Sequence, residues 1–539
     1  MSLRSASGVR RDWAFWAHAL LLIGIWTSIL VAAAFFGWRT WELHRHGDAW
    51  RRSIGIGGFV ALLFTVYAAL YTWLFVRIGA TANGVSPVVD LDQTTQALTR
   101  NVLVPWSWRR TFAAFGLAAV AGWGVYCWWR QLTIGLSVTG LGRPVFWGFY
   151  IVNFEYLATT AYGVVLFAAI LRLVRAEWRR PITRTAEVMA VLVVAAGAWN
   201  IFLDLGRPDR AAIKFFVWGR GESPLIWDMT AITTFLVSAA FYLYVSLIPD
   251  LGLLRRRVGG WRAPVYHLLS FGWANTDTQR HAIKFALAFL SVLIIPVTVM
   301  VLSVVGWVFA TTVQPGWHSS IFGPYYVVGA LFQGVAALTL VLALIRRYLE
   351  LGKFILPAHF SALGVTLLGL SFLWTYFTAS ELLTVYYGDE PIEMAVLRSK
   401  WVGAFSPLTW TTVVACVVIP VLMLARRRTV ASVTTASFAI LVGMWVERYT
   451  TVIPTLAQPR LPVPAGSYAP TWVELSLLAA AISLAGLLFM IFTRCFPIVS
   501  LWEETEGQEK AARNAATRIR SYFPSEEPPM PAAAPREGT

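Results

Sequence analysis

The candidate ionisable side chains inside or at the ends of long apolar runs are Glu155, Asp204, Asp228, His318, His359, Glu381, Glu447 and Arg448. An ionisable group at mid-bilayer costs roughly a few kcal/mol or more, so each needs a partner or a task. Glu381, in TASELLTVYYG, stands beside Ser380, Tyr386 and Tyr387. It either carries protons or meets interfacial water, and the sequence leaves both open. Glu447 and Arg448 are neighbours in GMWVERYT. Adjacent residues point about 100° apart on a helix, so either can bridge to a different helix. A structural ion pair is the plainer reading. His318, in PGWHSSIFGPYY, titrates near neutrality or simply stands at a helix start that Ser319 or Ser320 caps better. His359 reads as an ordinary interfacial histidine. Asp204 and Arg207, in FLDLGRPDR, and Asp228, in SPLIWDMTAITTF, flank one short connection. That level is a docking surface or a proton exit. Asn153, Glu155 and Tyr156, with Tyr162 farther along, place polar groups beside aromatic rings. A quinone head group needs this pattern, because its carbonyls take donors and its ring takes apolar walls. The same residues can also serve as polar glue between helices.

The elements that position these residues follow from hydropathy. Of 539 residues, 57% are hydrophobic and 13% charged, with mean hydropathy +0.62. Soluble domains carry about 25% charged residues; lipid-facing helices explain the deficit. Spanning takes about 20 apolar residues. Runs of that length fall near 14–37, 54–77, 111–129, 146–171, 185–204, 225–247, 284–310, 323–345, 357–387, 401–425, 429–448 and 471–493. The expectation is an all-α, polytopic membrane bundle of about 12 transmembrane helices. Residues 501–539 turn polar and end Pro/Ala-rich, so a disordered tail is expected there. Loops near Arg172–Arg184, Arg255–Lys284, Arg346–Lys353 and Arg426–Arg428 hold roughly twice the basic residues of the alternate set. They are expected in the cytoplasm, with both termini. The cluster Arg39, Arg45, Arg51 and Arg52 runs against this assignment. PVFWGFYIVNF…ILRLVR (Pro144 to Arg175) echoes SIFGPYYVVGA…LIRRYLE (Ser320 to Glu350), a parallel repeat. Solute transporters also use repeats, but no matching pair of Gly/Pro-broken mid-membrane segments accompanies this one.

Composition also excludes. Cys127, Cys416 and Cys495 form no CxxC or other ligand spacing, so no iron–sulfur cluster is expected, and no CxxCH offers haem c attachment. The net charge of +16 sits at the ends of apolar runs, which points to lipid rather than nucleic acid. The first apolar run, about 24 residues, is too long for a cleaved signal peptide.

The strings PVFWGFYIVNF, LGRP, SPLIWDMTAIT, PGWHSSIFGPYYVVGALFQG, TASELLTVYYG, GMWVERYTTVIPTL and YAPTWVE resemble the NrfD/polysulfide-reductase (PsrC-like) membrane-subunit family. The closest likeness is to the long form found in alternative complex III, over roughly residues 111–500. The resemblance implies a core of ten helices in two four-helix bundles with two extra N-terminal helices. The expected units are 1–110, 111–500 and 501–539. It implies a membrane subunit of a respiratory complex in the bacterial cytoplasmic (inner) membrane. Such a subunit exchanges electrons between menaquinol or ubiquinol and a docked iron–sulfur/molybdopterin or multihaem partner. The implied companions are an iron–sulfur subunit on the outer face, cytochrome c subunits and other membrane subunits, a paralogue among them. The implied quinone residues are Asn153, Glu155, Tyr156, Tyr162, Asp204 and Arg207. The implied proton path runs through Asp228, His318, Glu381, Glu447 and Arg448. Tyr162, Asp204, Leu302 and Val308 stand where long members carry histidine, histidine, histidine and aspartate. The proton-path pattern is therefore kept better than the quinone pattern. The alternative is a non-redox paralogue that anchors the complex and conducts protons.

Overall fold

The computed structural model describes residues 93–210, 223–458 and 464–522, most of 64–77, and a few positions near 18–22 and at 62. Ten helices among these are long and apolar enough to cross a membrane, and no strand occurs among the described residues. The expected span 14–37 lies outside the described residues except for His18, Leu21 and Leu22. The expected span 54–77 is represented by the short apolar helix Phe64–Leu74. The count of about 12 therefore stands as ten observed spans.

Helix α1 (Gln93–Leu103) precedes the first observed span, α2 (Trp108–Ile134). Helices α3 (Phe149–Leu173), α4 (Arg180–Asp204) and α5 (Pro224–Leu254) follow, then the short α6 (Arg262–Leu269) and α7 (Asp277–Ala310). Next come α8 (Phe322–Tyr348), α9 (Pro357–Gly388), the short α10 (Pro391–Trp401) and α11 (Ser406–Leu424). Helices α12 (Val430–Ala457), α13 (Trp472–Cys495) and α14 (Leu501–Tyr522) are the last among the described residues. Their starts are written locally. Pro224, Pro357 and Pro391 each open a helix, where a missing N–H costs nothing. Thr276 with Gln279 and Thr471 with Glu474 form capping boxes.

Helices α3, α4, α5 and α7 close one four-membered ring, and α8, α9, α11 and α12 close a second. The two halves of the sequence repeat thus become two bundles, each opened by its echo helix. The α2/α13 pair leans on α4 and turns Trp108, Phe112, Phe115 and Trp123 outward, as a lipid-facing surface should. The bundles meet where α3 crosses α8. A Cβ on Gly163 would lie 1.7 Å from the Ala330 carbonyl oxygen, and one on Gly334 would lie 2.5 Å from the Gly163 carbonyl carbon. Small residues at this crossing let backbones touch, which drives helix association in lipid. Gln333 adds polar glue: its Nε2 donates to the Tyr156 carbonyl at 2.6 Å and to the Thr160 hydroxyl. In α11, Pro420 leaves the Cys416 carbonyl without its helical donor. A π turn at Val414–Val418 absorbs the irregularity, and the Ser371 hydroxyl donates to that carbonyl at 2.6 Å.

The arginine-rich end of the first bundle is sealed by the segment expected to be tail. Residues 501–522 are helical, while 523–539 lie outside the described residues. Glu503 bridges Arg172 and Arg179 at 2.7 Å each. Asp250 pairs with Arg184 at 3.1 Å and accepts the first backbone N–H groups of α14, from Leu501 and Trp502. Glu187 completes the cluster, with Arg172 at 3.4 Å and the Ser246 hydroxyl at 2.5 Å. Composition reads these residues as polar tail because it is blind to the buried arginines they neutralise.

This packing can be tested at both ends. Gly163→Val should separate α3 from α8 and cost at least the ~1–3 kcal/mol typical of overpacking; an unchanged thermal midpoint in detergent would refute the crossing. The second test concerns pH. Burial opposes the Glu503 charge, but Arg172 and Arg179 outweigh it and hold the carboxyl at about 2. A depressed carboxyl stabilises above its free value and loses that contribution as pH falls toward the folded value. On the order of 3 kcal/mol of α14 docking should therefore disappear between about pH 4.5 and pH 2. Hydrogen exchange of the α14 amides, corrected for intrinsic rates, should accelerate across that window, and Glu503→Gln should exchange fast already at neutral pH.

Candidate functional site

Two cavities open toward the arginine-poor end, one in each bundle. The first has a volume of about 90 Å³. Ile151 and Phe154 of α3 line it, spaced to share one helix face, with Trp147 just ahead of the helix start. Phe309 of α7 closes another wall, packing edge-on to Trp147 at 5.6 Å between centroids. Asp204, at the end of α4, and Asp228, near the start of α5, are its carboxylates. One buried oxygen of each, Oδ1, has no hydrogen-bond partner among the described residues. A buried polar atom without a partner costs roughly 1–3 kcal/mol, so both are poised for a ligand or water. Tyr162 is deeper in the same bundle, its ring edge-on to Phe235 at 4.5 Å and its buried hydroxyl unpartnered among the described residues. Val308 lines the cavity and Leu302 is fully buried, so this wall is apolar. Arg207 does not enter. It is exposed and pairs with Asp209 at 3.0 Å.

Asn153, Glu155 and Tyr156 face away from this cavity, because each is one or two residues, about 100° or 200° of helix rotation, from Ile151 or Phe154, which turns them toward α8 and α12. Asn153 Oδ1 accepts from the Trp445 indole at 3.0 Å. Glu155 accepts from the Tyr326 hydroxyl at 2.9 Å. The Arg448 guanidinium sits over the Tyr326 ring, 4.4 Å from its centroid, and is 3.3 Å from Glu447. The adjacent pair thus does contact itself. Glu447 also accepts from the Tyr325 hydroxyl at 2.7 Å and the Thr451 hydroxyl at 3.1 Å. Arg448 is fully buried, and none of its guanidinium nitrogens has a hydrogen-bond partner among the described residues. A buried charge so placed is tolerable only through nearby opposite charge, which Glu447 and Glu155 supply. Asn153 Nδ2, Glu155 Oε1 and Glu447 Oε2 are likewise buried and unpartnered. The seam between bundles is therefore a line of polar groups with spare hydrogen-bonding capacity.

That line ends in the second cavity, about 130 Å³, which Tyr325, Glu381, Glu393, Lys400 and Glu447 line together with apolar side chains. The Ser319 hydroxyl donates to Glu381 at 2.5 Å. Glu393 accepts from the Gly316 backbone N–H and lies 3.7 Å from His318 Nδ1. Sequence reasoning missed Glu393 and Lys400, because they fall in a stretch read as a loop between spans. Their spacing of seven within α10 (Pro391–Trp401) was the available signal, since it sets both on one helix face. Burial lowers the Lys400 ammonium, opposed by Glu447 and Glu381. His359 is a cap: its Nδ1 accepts from the Leu356 N–H at 2.8 Å. No cluster of three or more His, Cys, Asp or Glu suited to a metal ion occurs among the described residues.

Comparison with known proteins fits this architecture. A family model described as polysulphide reductase, NrfD, matches residues 137–460. The chain is 26% identical over 402 residues to a putative membrane subunit of dimethyl sulfoxide reductase from Halobacterium salinarum, covering 70% of this chain and 88% of that protein. It is 23% identical over 408 residues to the integral membrane subunit of a menaquinone reductase of Nitratidesulfovibrio vulgaris, covering 70% and 89%. The matched segment carries both bundles and both cavities, and on it the chain belongs to the polysulphide reductase NrfD family.

Proposed function

We propose that this chain is the quinone-linked membrane subunit of an oxidoreductase complex, with a quinol site in the first bundle and a proton path through the seam and the second. The observation that carries the reading is the aromatic-walled cavity with its unpartnered Asp204 and Asp228 oxygens. The donor set fits the group. Carboxylate oxygens accept, so they suit the O–H groups of a quinol, while Tyr162 offers a hydroxyl donor deeper in the bundle. The volume, about 90 Å³, is below the ~150 Å³ of an apolar cavity that takes benzene. A head group therefore sits at the mouth, beside the half-exposed Leu225. A bound quinol would supply two electrons and two protons. Asp204 and Asp228 would take the protons, and Trp147 and Phe309 would keep bulk water from the ring. The naming of one relative for menaquinone reduction supports quinone as the ligand class. Both relatives are named as membrane subunits, which supports further subunits, an iron–sulfur protein among them.

The arginine-rich end belongs in the cytoplasm by the positive-inside rule, which sets both cavities toward the opposite face, where the electron partner docks. Protons would follow Glu155, Tyr326 and Glu447 to Glu381, with the fixed charge of Arg448 steadying both carboxylates, His318 marking the rim and Asp228 the first-bundle branch. A second reading, a paralogue that anchors and conducts protons without quinone, is favoured by one observation. Leu302 and Val308 leave the first cavity without a histidine.

Substitution separates the two. Asp204→Asn with Asp228→Asn should lower quinol turnover of the intact complex by about 10²-fold or more, as loss of a general base does. Unchanged turnover would establish the anchoring reading instead. Glu155→Gln, which faces the seam, should leave turnover within about 2-fold, below one 1.4 kcal/mol decade, while lowering protons translocated per electron. An equal loss of both quantities would place Glu155 at the quinol instead.

A further inference from the structure

The second cavity contains one cation, Lys400, that no motif or match assigns. It projects from the last turn of α10, the short helix that folds over the arginine-poor mouth of the second bundle. The charges acting on it are Glu447, from α12, and Glu381, from α9. It reaches ion-pair contact, 4.0 Å, with neither. Both carboxylates are held in place by other donors: Glu447 by Tyr325 and Thr451, and Glu381 by Ser319. Glu447 keeps one buried oxygen, Oε2, without a hydrogen-bond partner, and it lines the same cavity. The other charges at this site are committed: Glu393 to Gly316 and His318, and Arg448 to Glu447 and the Tyr326 ring. A cavity of about 130 Å³ has room for several waters at ~30 Å³ each and for the swing of a four-carbon stem.

We infer that Lys400 is the proton relay between Glu447 and Glu381. The step conserves atoms and moves no electrons. One ammonium N–H bond breaks as its proton forms an O–H bond on the Glu381 carboxylate. The neutral amine then takes the proton of protonated Glu447, restoring the ammonium and leaving the Glu447 carboxylate. The net change is one proton moved from Glu447 to Glu381. Lysine suits this task because its charged and neutral forms draw together in energy when the ammonium is buried, whereas arginine stays charged throughout. The inference rests on the proposed proton path and adds the group that must deprotonate within it.

The test uses the intact complex purified with its native partners and reconstituted in vesicles, driven by a short-chain menaquinol analogue with ferricyanide as acceptor. The readout is protons released per electron, above those that quinol oxidation itself releases, beside the turnover rate. Lys400→Met and Lys400→Arg should both drop that excess to the level of Glu447→Gln, with turnover within about 2-fold of the parent. The arginine variant decides between relay and fixed charge, since it keeps the charge and cannot lose it. Where Lys400→Met fails to assemble, Lys400→Arg still decides. A wild-type ratio in Lys400→Arg together with a loss in Glu447→Gln would overturn the relay and leave the path standing. A wild-type ratio in both Glu447→Gln and Glu381→Gln would overturn the path itself.

Discussion

Helices α3 and α8 approach so closely that neither can carry a side chain where they cross. Gly163 abuts the Ala330 carbonyl, and Gly334 abuts the Gly163 backbone. In lipid there is no hydrophobic force to hold two apolar helices together, so such backbone contact is what fixes them. Both cavities and the polar seam are arranged about this point. It sets the register that brings Tyr326 of α8 to Glu155 of α3, and through Tyr326 it brings Arg448 of α12 into the same seam. A helix with bulk at residue 163 would hold the bundles apart and take Glu155 away from Arg448, leaving Glu447 to balance that buried charge alone.

The two bundles are built alike and furnished differently. Each opens with an aromatic-led helix and each is hollow at the arginine-poor end. The first cavity is small, aromatic and has two carboxylates with no cation beside them. The second is larger and mixes carboxylates with an ammonium. The first suits a neutral ring that gives up protons. The second suits water and mobile charge. The two bundles share a frame, and the residues lining each hollow set what it can hold.

Much of this was legible in the chain. Hydropathy and terminal arginines place the spans from α2 to α13, and the repeat anticipates the paired bundles. The membrane-buried charges Glu155, Asp228, Glu381 and Glu447 all line a cavity or the seam. What periodicity alone did not resolve was which side of α3 each polar residue takes. Asn153 and Glu155 lie within one turn of Ile151 and Phe154, yet they face a different bundle, because a helix turns by about 100° per residue. Glu393 and Lys400 were hidden by length, since an 11-residue helix is too short to register as a span and too polar to read as core. The segment after residue 500 was misread for a related reason. Glu503 looks solvated in sequence and is buried only because Arg172 and Arg179, hundreds of residues earlier, pair with it.

That last separation has a consequence for biosynthesis. The arginines at the end of the first bundle emerge early, yet Asp250 and Glu187 supply only part of the negative charge they need. The remainder, Glu503, and the helix start that satisfies Asp250 come from α14, which follows the last observed span. Until residue 503 has been made, this end of the first bundle must stay open to water, with its guanidinium groups solvated. The first bundle therefore cannot be finished when its own helices are in the membrane. Closing it waits for α14, and a chain cut short before residue 501 would present an unsealed, positively charged mouth by which quality control could recognise it.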